Sequence, residues 1–483
     1  MNIGGFVGGA YKPLNEKQLQ EIHNTSLSVL ENVGLHVPHK EALEIFVSGG
    51  AHVDYDNCRV KFSPELVEEV IAKAPAKISL CGRDPKNDLI LEDSKVYAGT
   101  GGCVVSVYDL RSGVKRSSTL SDVAAIARVI ESLECINFFV IPVHPNDIPE
   151  NLVDINKFYY SFANTTKHVM SGVASKENFY EVIGLAEKIA GGKEKLLERP
   201  LLSMITNAIS PLKFDNVATE ILIEAAKYGL PVTCAPAPMT GATAPMTLAG
   251  TLAQQNAESL AGIILTQMIN PGTPVLYGAV PAPVDPRSMN FLFGAVEMGL
   301  LNACAVQMAH FYNIPIYASA GPSDAKLSDC QAGWEKALNI LMVALAGGNY
   351  IHLAAGMLEG GLAVSYEQYI LDNDILGSVM RAVRGVEVNQ ETLAAPVISS
   401  VGPEGDYLLQ EHTVKHMRSE MFFPKGADRN NYILWQQEGA KDVRQRAKEM
   451  AWEILENNNG PSFNADLEKD IRKSFPQIIE IDF

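Results

Sequence analysis

The sequence predicts an α/β protein whose centre is a (β/α)8 TIM barrel, with an N-terminal α/β segment before it and a C-terminal helical cap after it. Seven short apolar runs alternate with longer helical stretches, and their first residues lie 30 to 43 residues apart. A parallel strand and its crossover helix need about 30 residues, so each run is a predicted strand. No glycine-rich phosphate loop follows the first run, which favours a closed barrel over an open doubly wound sheet. The predicted strands are residues 138–143, 169–173, 202–206, 232–235, 275–277, 316–319 and 350–353.

The helical stretches between these strands begin and end with recognisable signals. Ser328 and Ser365 are each followed three residues later by a glutamine, which predicts a capping box at the start of two helices. Glycine is common just past the end of a helix, and proline does not continue one. Such stop signals stand at residues 191–192, 229, 270–272 and 347–348, each shortly before a predicted strand.

The repeat divides the chain into three expected parts, namely residues 1–95, a barrel at 96–388, and residues 389–483. The eighth strand of the barrel has two candidates, residues 101–108 and residues 362–364. The flanking parts carry their own patterns: helices at 16–32 and 40–47, strands at 59–62 and 88–96, and polar helices at 407–418 and 441–457.

Charge and cysteine content exclude several classes of protein. With 39 Lys and Arg against 56 Asp and Glu, the formal charge is −17, which disfavours nucleic acids and anionic membranes as partners. The seven cysteines include no C-x-x-C pair, so neither a disulfide framework nor a thiolate zinc site is predicted. No signal peptide or bilayer-spanning run is visible, so we expect a cytoplasmic protein. Apolar predicted helices, such as residues 338–346, favour a homo-oligomer.

Common catalytic motifs are absent. The chain has no Walker A loop, no G-x-G-x-x-G, no G-x-S-x-G and no H-E-x-x-H, so nucleotide-driven, dinucleotide-dependent and esterase-type reactions lose support. The D-x-H-x-x-G signature of many cobalamin-binding proteins is absent too. If a corrinoid takes part, another polypeptide must carry it.

In a barrel, the chemistry lies at the carboxyl ends of the strands. Here that ring of positions is poor in charge and rich in small or aromatic residues. It includes His144, Ser171, Asn207, Met239, Tyr277, Asp324, His352 and Glu359. Such a ring suits a cation that is held by aromatic faces and oriented by one or two polar groups.

Several ordered motifs resemble the trimethylamine methyltransferase superfamily of corrinoid-dependent methyltransferases. They are ANTTKH at 163–168, LAGTL at 248–252, NAE at 256–258, SDAK at 323–326, DCQAG at 329–333, GMLE at 356–359, and EQ at 367–368 with DNDI at 372–375. The resemblance covers nearly the whole chain. It implies transfer of a methyl group from an amine to cob(I)alamin on a partner corrinoid protein, in anaerobic one-carbon metabolism and without an intrinsic metal.

One position departs from the founding members of this family. They carry pyrrolysine immediately before the SDAK stretch, where this chain has Pro322. A neutral trimethylamine needs an electrophile that makes its nitrogen cationic, whereas a quaternary ammonium already leaves as a neutral amine. The chain therefore resembles the non-pyrrolysine branch, and glycine betaine is the first expected substrate, with proline betaine, carnitine or γ-butyrobetaine as alternatives.

The resemblance and the positions at the strand ends together give the candidate site. The expected catalytic residues are His352, Asn207 and Asp324. The expected aromatic cage is Tyr97, Tyr277, Tyr350 and Tyr366, and the expected carboxylate-binding groups are His144, His352, Asn207 and Arg287, with Glu359 as a further substrate contact. Gly321, Pro322 and Ser323 are expected to face the corrinoid.

Two other classes of function stay open at this point. A metal-dependent barrel hydrolase or lyase could use Glu359, Glu367, Asp372 and Asp374, although acids at a helix start more often complement the helix dipole. A non-catalytic betaine-binding protein would bind the amine and leave added cob(I)alamin unmethylated.

Overall fold

The computed structural model describes residues 3–457 and 460–481. Within them, eight parallel strands form one curled sheet, and a short antiparallel strand, Phe6–Val7, pairs with the first of them. The eight strands are β1 (Lys95–Ala98), β2 (Phe138–Val140), β3 (His168–Ser171), β4 (Leu202–Thr206), β5 (Val232–Cys234), β6 (Val275–Ala279), β7 (Ile316–Ser319) and β8 (Tyr350–His352). The α/β class and the seven strands predicted from spacing are confirmed.

The strands follow one another around the sheet in chain order, except that β1 lies beside β8. Tyr350 of β8 is in register with Tyr317 of β7 on one side and with Tyr97 of β1 on the other. A single parallel bridge between Gly99 and Phe138 joins the chain just after β1 to the start of β2. The sheet is therefore curled, and this bridge is a contact between its two ends.

The eighth strand comes from neither predicted segment. Ser106–Tyr108 and Ala363–Ser365 instead pair with each other in a separate four-stranded sheet that also contains Met357–Leu358 and Lys115–Ser117. The central strands are buried on both faces, whereas Ser106–Tyr108 buries alternate residues only. Alternation of that kind is typical of a sheet with one solvated face.

Helices connect successive strands. They are Leu120–Glu131, Glu150–Asn164, Lys176–Ala190, Lys193–Glu198, Asn216–Tyr228, Leu248–Ile269, Val296–Phe311 and Cys330–Ala346, and Tyr366–Arg384 follows β8. Gly191, Gly229 and Gly347 end three of them with positive φ, as predicted. Ser365 caps its helix, but the prediction for Ser328 was wrong by one residue. Asp329 is the N-cap there, because its carboxylate reaches the backbone N–H of Ala332.

The flanking segments add short elements at both ends. The N-terminal part has helices Glu16–Asn32, Lys40–Ser48 and Pro64–Ile71, a 3₁₀ turn at Pro85–Asn87, and strands Leu35–His36, His52–Asp54, Arg59–Lys61, Ile78–Leu80 and Leu89–Leu91. Two further strands, Met239–Thr240 and Ala282–Pro283, pair with each other, and a 3₁₀ turn spans Glu359–Gly361. The C-terminal part has helices Gln390–Leu393, Ala395–Val401, Glu411–Glu420, Tyr432–Gln437, Val443–Asn457 and Ala465–Ser474.

The interior of the curled sheet is closed where its strands begin. Tyr350 stacks on Phe138 with ring centroids 3.5 Å apart, and both side chains are fully buried. The hairpin Ile78–Leu80 and Leu89–Leu91 packs against these rings from outside. We call this group, together with Tyr97 from the same cluster, the aromatic plug.

The first four C-terminal helices, residues 390–437, contribute no buried residue to the described core. Instead they and their connections expose large apolar side chains, and Leu409 is 93% exposed. An apolar surface of this extent is typical of a protein–protein interface. Among the helices described, none is long and apolar enough to cross a membrane.

Candidate functional site

A cavity of about 870 Å³ opens at the carboxyl ends of the parallel strands. Interior side chains of β2, β4, β7 and β8 contribute Val140, Ile205, Tyr317 and His352 to its lining. Helix Glu150–Asn164 adds Asp154 and Lys157, and the loop after β2 adds His144. Three exposed apolar residues, Val105, Val217 and Leu362, also line it and form an open rim.

His352 lies at the cavity in a chain of hydrogen bonds. The Ser319 hydroxyl donates to the Ala279 carbonyl over 2.9 Å, so the Ser319 oxygen accepts from His352 Nε2. His352 Nδ1 is then the unprotonated nitrogen, and it accepts the Tyr317 hydroxyl over 2.8 Å. Burial holds the pKa of His352 well below its ordinary value, so the ring is neutral. Because both ring nitrogens are occupied, His352 orients Tyr317 rather than donating to a ligand.

Tyr317 is the aromatic residue that the sequence candidates omitted. Its ring stacks on His352 with centroids 3.8 Å apart, and it is one of the side chains that line the cavity. Phe293 also lines the cavity, from the loop after β6. The Tyr350 ring also stacks on Tyr317, with centroids 5.7 Å apart, and Tyr317 is only 1% exposed. Tyr317 is therefore a buried part of the lining, whereas Phe293 is partly exposed.

Lys157 and Asp154 form a buried ion pair beside the cavity. Lys157 Nζ lies 2.7 Å from Asp154 Oδ1, and the side chains are 6% and 5% exposed. The other carboxylate oxygen accepts 2.8 Å hydrogen bonds from Ala174 N and Asn178 Nδ2. Burial raises the pKa of Asp154, but the ion pair and these donors outweigh it and lower the pKa overall. The carboxylate is therefore ionised and fixed in place.

Asn207 and His144 complete the polar lining. With its amide assigned by its neighbours, Asn207 Nδ2 donates to the carbonyls of Ala235 and Thr206. His144 Nε2 lies 3.3 Å from Glu150 at the rim. Contact with the Cys103 thiol is the largest cause that raises the pKa of His144. Of the ten candidates for catalysis and substrate binding, His352, Asn207 and His144 are the ones that line this cavity.

Three predicted cage tyrosines lie elsewhere, one because its strand position faces outward and two because they lie at the other end of the strands. Tyr277 faces outward, and its hydroxyl donates to Asn256 Oδ1 over 2.8 Å. Tyr97 and Tyr350 face inward but belong to the aromatic plug at the opposite end. Since successive side chains of a strand point to opposite faces, Leu276 rather than Tyr277 faces the interior.

The other candidates are held by partners outside the cavity. The Tyr366 hydroxyl donates to Asp122 over 2.8 Å, Lys115 pairs with Glu359 at 2.6 Å, and Asp324 accepts from Gly294 N at 3.0 Å. Arg287 is 90% exposed and pairs with Asp285.

The loop that was expected to face the corrinoid is also turned away from the cavity. Gly321, Pro322 and Ser323 are buried. The carbonyl of Gly321 accepts from Lys336, and the Ser323 hydroxyl donates to Glu335 over 2.5 Å. These three residues shape the loop after β7 and do not line the cavity.

The acids of the alternative metal site do not converge. Glu367 accepts from Ser365, Asp372 pairs with Lys336, and Asp374 accepts from the backbone of Lys425 and Gly426. Within residues 3–457 and 460–481, no group of three or more His, Cys, Asp or Glu is arranged to hold a metal ion.

His168, a buried histidine in β3, predicts that the stability of the fold decreases at acid pH. His168 bonds to the Cys81 carbonyl and to Ser203, and burial lowers its pKa from 6.5 to about 4. The unfolded chain takes up this proton as pH falls below about 6.5, whereas the folded chain does so only near pH 4. Stability from this group is therefore full above pH 6.5 and decreases by about 1.4 kcal/mol per pH unit below it.

The His168→Gln variant isolates this effect. We expect the free energy of unfolding of the native chain, relative to that of the variant, to decrease by about 3 kcal/mol between pH 7 and pH 4. Urea unfolding at several pH values measures it. A difference that stays constant over this range would contradict the assignment of a buried neutral His168.

Comparison with known proteins agrees with this architecture. The family model of trimethylamine methyltransferase (MTTB) matches residues 7–477. The chain is 41% identical to a trimethylamine methyltransferase MttB of Desulfitobacterium hafniense, over 92% of this chain and 89% of the relative. It is 33% identical to a glycine betaine methyltransferase of Desulfitobacterium hafniense, over 97% of both chains.

The crystal structure of the Methanosarcina barkeri monomethylamine methyltransferase (MtmB) has a similar fold. Its TM-score is 0.51 at 14% identity, over 92% of each chain. The family model and the two full-length relatives, taken with the curled parallel sheet, establish membership: the chain belongs to the trimethylamine methyltransferase family.

Proposed function

We propose that this protein transfers a methyl group from a quaternary amine to cob(I)alamin on a separate corrinoid protein. Glycine betaine is the first proposed substrate and dimethylglycine its product. Proline betaine, carnitine and γ-butyrobetaine are the alternatives. The observation that carries the proposal is the cavity itself, since it combines an apolar interior with aromatic lining residues and an open rim.

The lining suits a trimethylammonium group. Phe293 and Tyr317 contribute aromatic side chains to the lining, and Val140 and Ile205 offer apolar contact to methyl groups. The ion pair of Lys157 and Asp154 is neutral overall, while Asp215 and Glu150 add acidic character farther along the lining. A ligand with a delocalised positive charge fits this balance better than an anion does.

The proposed reaction needs no acid–base catalysis from the chain. The carbon–nitrogen bond breaks with its electron pair going to nitrogen, so the leaving group is a neutral tertiary amine. When bound, the corrinoid supplies cobalt(I), the nucleophile that accepts the methyl group. The chain's own residues align the amine and exclude water, and alignment alone can lower a barrier by several kcal/mol. A neutral His352 is compatible with this role because no proton is transferred.

The surroundings of the cavity also fit an acceptor that arrives on another protein. Val105, Val217 and Leu362 expose apolar side chains around the opening.

We infer as well that the curled sheet is a closed (β/α)8 barrel spanning about residues 96–388. The parallel bridge between Gly99 and Phe138 supports that closure.

A panel of amines tests the proposal. The purified chain is incubated with chemically reduced free cobalamin and, in turn, glycine betaine, proline betaine, carnitine, γ-butyrobetaine or trimethylamine. We expect the absorbance change from cob(I)alamin to methylcobalamin with at least one quaternary amine and none with trimethylamine. No turnover with any quaternary amine would overturn the proposal.

A further inference from the structure

Lys157 is the one lysine or arginine among the described residues that line the cavity. It lies in the helix Glu150–Asn164, which follows β2 and is buried along most of its length. A lysine is almost never buried in this way unless it is paired. Its ammonium group must therefore be paired, and its position beside an open cavity allows it to bind a ligand as well.

The ammonium group of Lys157 has one donor left over. It lies 2.7 Å from Asp154 Oδ1 and donates to the Gly172 carbonyl over 2.9 Å. An ammonium carries three N–H donors, and no third acceptor lies within hydrogen-bond distance in the described part of the chain. Asp154 is itself fixed by Ala174 and Asn178, so the lysine head is held in one place.

The other residues that the sequence predicted would bind the substrate carboxylate do not offer such a donor. Both nitrogens of His352 are occupied, and the Asn207 amide nitrogen donates to two backbone carbonyls. Arg287 lies outside the cavity. His144 lies at the rim beside the carboxylate of Glu150, which would repel an anion.

We infer that Lys157 binds the carboxylate of the substrate, so that the protein selects quaternary amines that carry a carboxylate over those that do not. This inference rests on the proposed function. A free cation in the cavity would repel the trimethylammonium group, whereas the pair with Asp154 keeps the local charge neutral. The third N–H still forms a charge-assisted hydrogen bond to the carboxylate.

The test compares glycine betaine with choline, which has the same trimethylammonium head and a hydroxymethyl group in place of the carboxylate. For the native chain we expect kcat/KM, with free cob(I)alamin, to favour glycine betaine by about 10- to 100-fold. In Lys157→Met this preference should decrease to less than about 3-fold, mainly through KM for glycine betaine. Calorimetric binding of glycine betaine without cobalamin should weaken in parallel.

Two further variants serve as controls. Lys157→Arg retains the charge and should retain most of the preference. The double variant Lys157→Gln with Asp154→Asn removes both charges without leaving a buried unpaired ion, so it covers the case in which Lys157→Met does not fold, and it too should lose the preference.

The outcomes separate this inference from the proposed function. If the native chain methylates cobalamin with no quaternary amine, the proposed function fails. If the native chain is active but Lys157→Met and the double variant keep the preference, or lose activity equally with both amines, Lys157 does not bind the carboxylate and the proposed function stands.

Discussion

Replacement of Lys336 by methionine is expected to destabilise the fold by about 3–5 kcal/mol. Lys336 and Asp372 are fully buried and 3.1 Å apart. The pair joins the helix before β8 to the helix after it, and Lys336 also donates to the Gly321 carbonyl. Burial raises the pKa of Asp372 and lowers that of Lys336, so each charge depends on the other. Removal of the lysine leaves a buried carboxylate without its cation.

A second substitution should recover much of this loss. In Lys336→Met with Asp372→Asn, the amide oxygen can still accept from Gly356 N, as the carboxylate now does at 2.7 Å. Its amide nitrogen would face Gln368, whose Nε2 now donates to the carboxylate over 2.8 Å. If the Gln368 amide turns over, its Oε1, a buried atom without a partner in the described structure, can accept from that nitrogen. Urea unfolding of the native chain, the single variant and the double variant measures the difference.

An exposed ion pair provides the matched control. Lys17 lies 3.7 Å from Glu21 on the first long helix, and its side chain is 86% exposed. Lys17→Met should change stability by less than about 0.5 kcal/mol, since exposed pairs contribute little. A loss below about 1 kcal/mol in Lys336→Met, or a double variant no more stable than the single one, would refute the account of the buried pair.

Substitution of Ala237 by tryptophan is expected to abolish activity without unfolding the protein. Ala237 is exposed on the loop after β5 and lines the cavity. An indole there would occupy space that the amine and its methyl acceptor need, and misplacement of a reacting group by about 1 Å can cost 10²-fold in rate. We expect kcat/KM to decrease at least 100-fold with an unchanged Tm.

Ala242→Trp is the matched control for this substitution. Ala242 is also exposed and lies only five residues farther along the chain, but it does not line the cavity. This variant should keep activity within about 3-fold of the native chain, as expected for a surface change away from the site. Full activity in Ala237→Trp would show that the reaction takes place elsewhere.

The spacing of apolar runs predicted the arrangement of the sheet because every crossover helix imposes a similar chain length. The spacing did not predict the eighth strand, Lys95–Ala98, because of its local sequence. Lys95–Ala98 begins with a charged residue and continues from the N-terminal hairpin, so its few apolar residues read as part of the alternating stretch before it. Pairing with β8, more than 250 residues away along the chain, defines it as a central strand.

The site was harder to predict because the central strands are buried on both faces. With no polar face, the pattern does not reveal which residues point inward, and Tyr277 was placed in the cage while Tyr317 was left out. The register shows which residues share a face, since Tyr277 pairs with Ile316 and Tyr317 pairs with Tyr350. Lys157 did leave a signal, namely a lysine three residues after an aspartate and directly before the aromatic run FYY.

The aromatic plug has a kinetic consequence. Because Phe138 and Tyr350 stack across the interior where the strands begin, we expect the cavity to be entered from the carboxyl ends of the strands, where it opens. In the proposed reaction, a small amine and a large acceptor protein must share that entrance. The amine therefore enters first, and the demethylated product leaves only after the acceptor has departed. Steady-state kinetics should follow a compulsory order, in which excess acceptor competes with the amine for the empty enzyme.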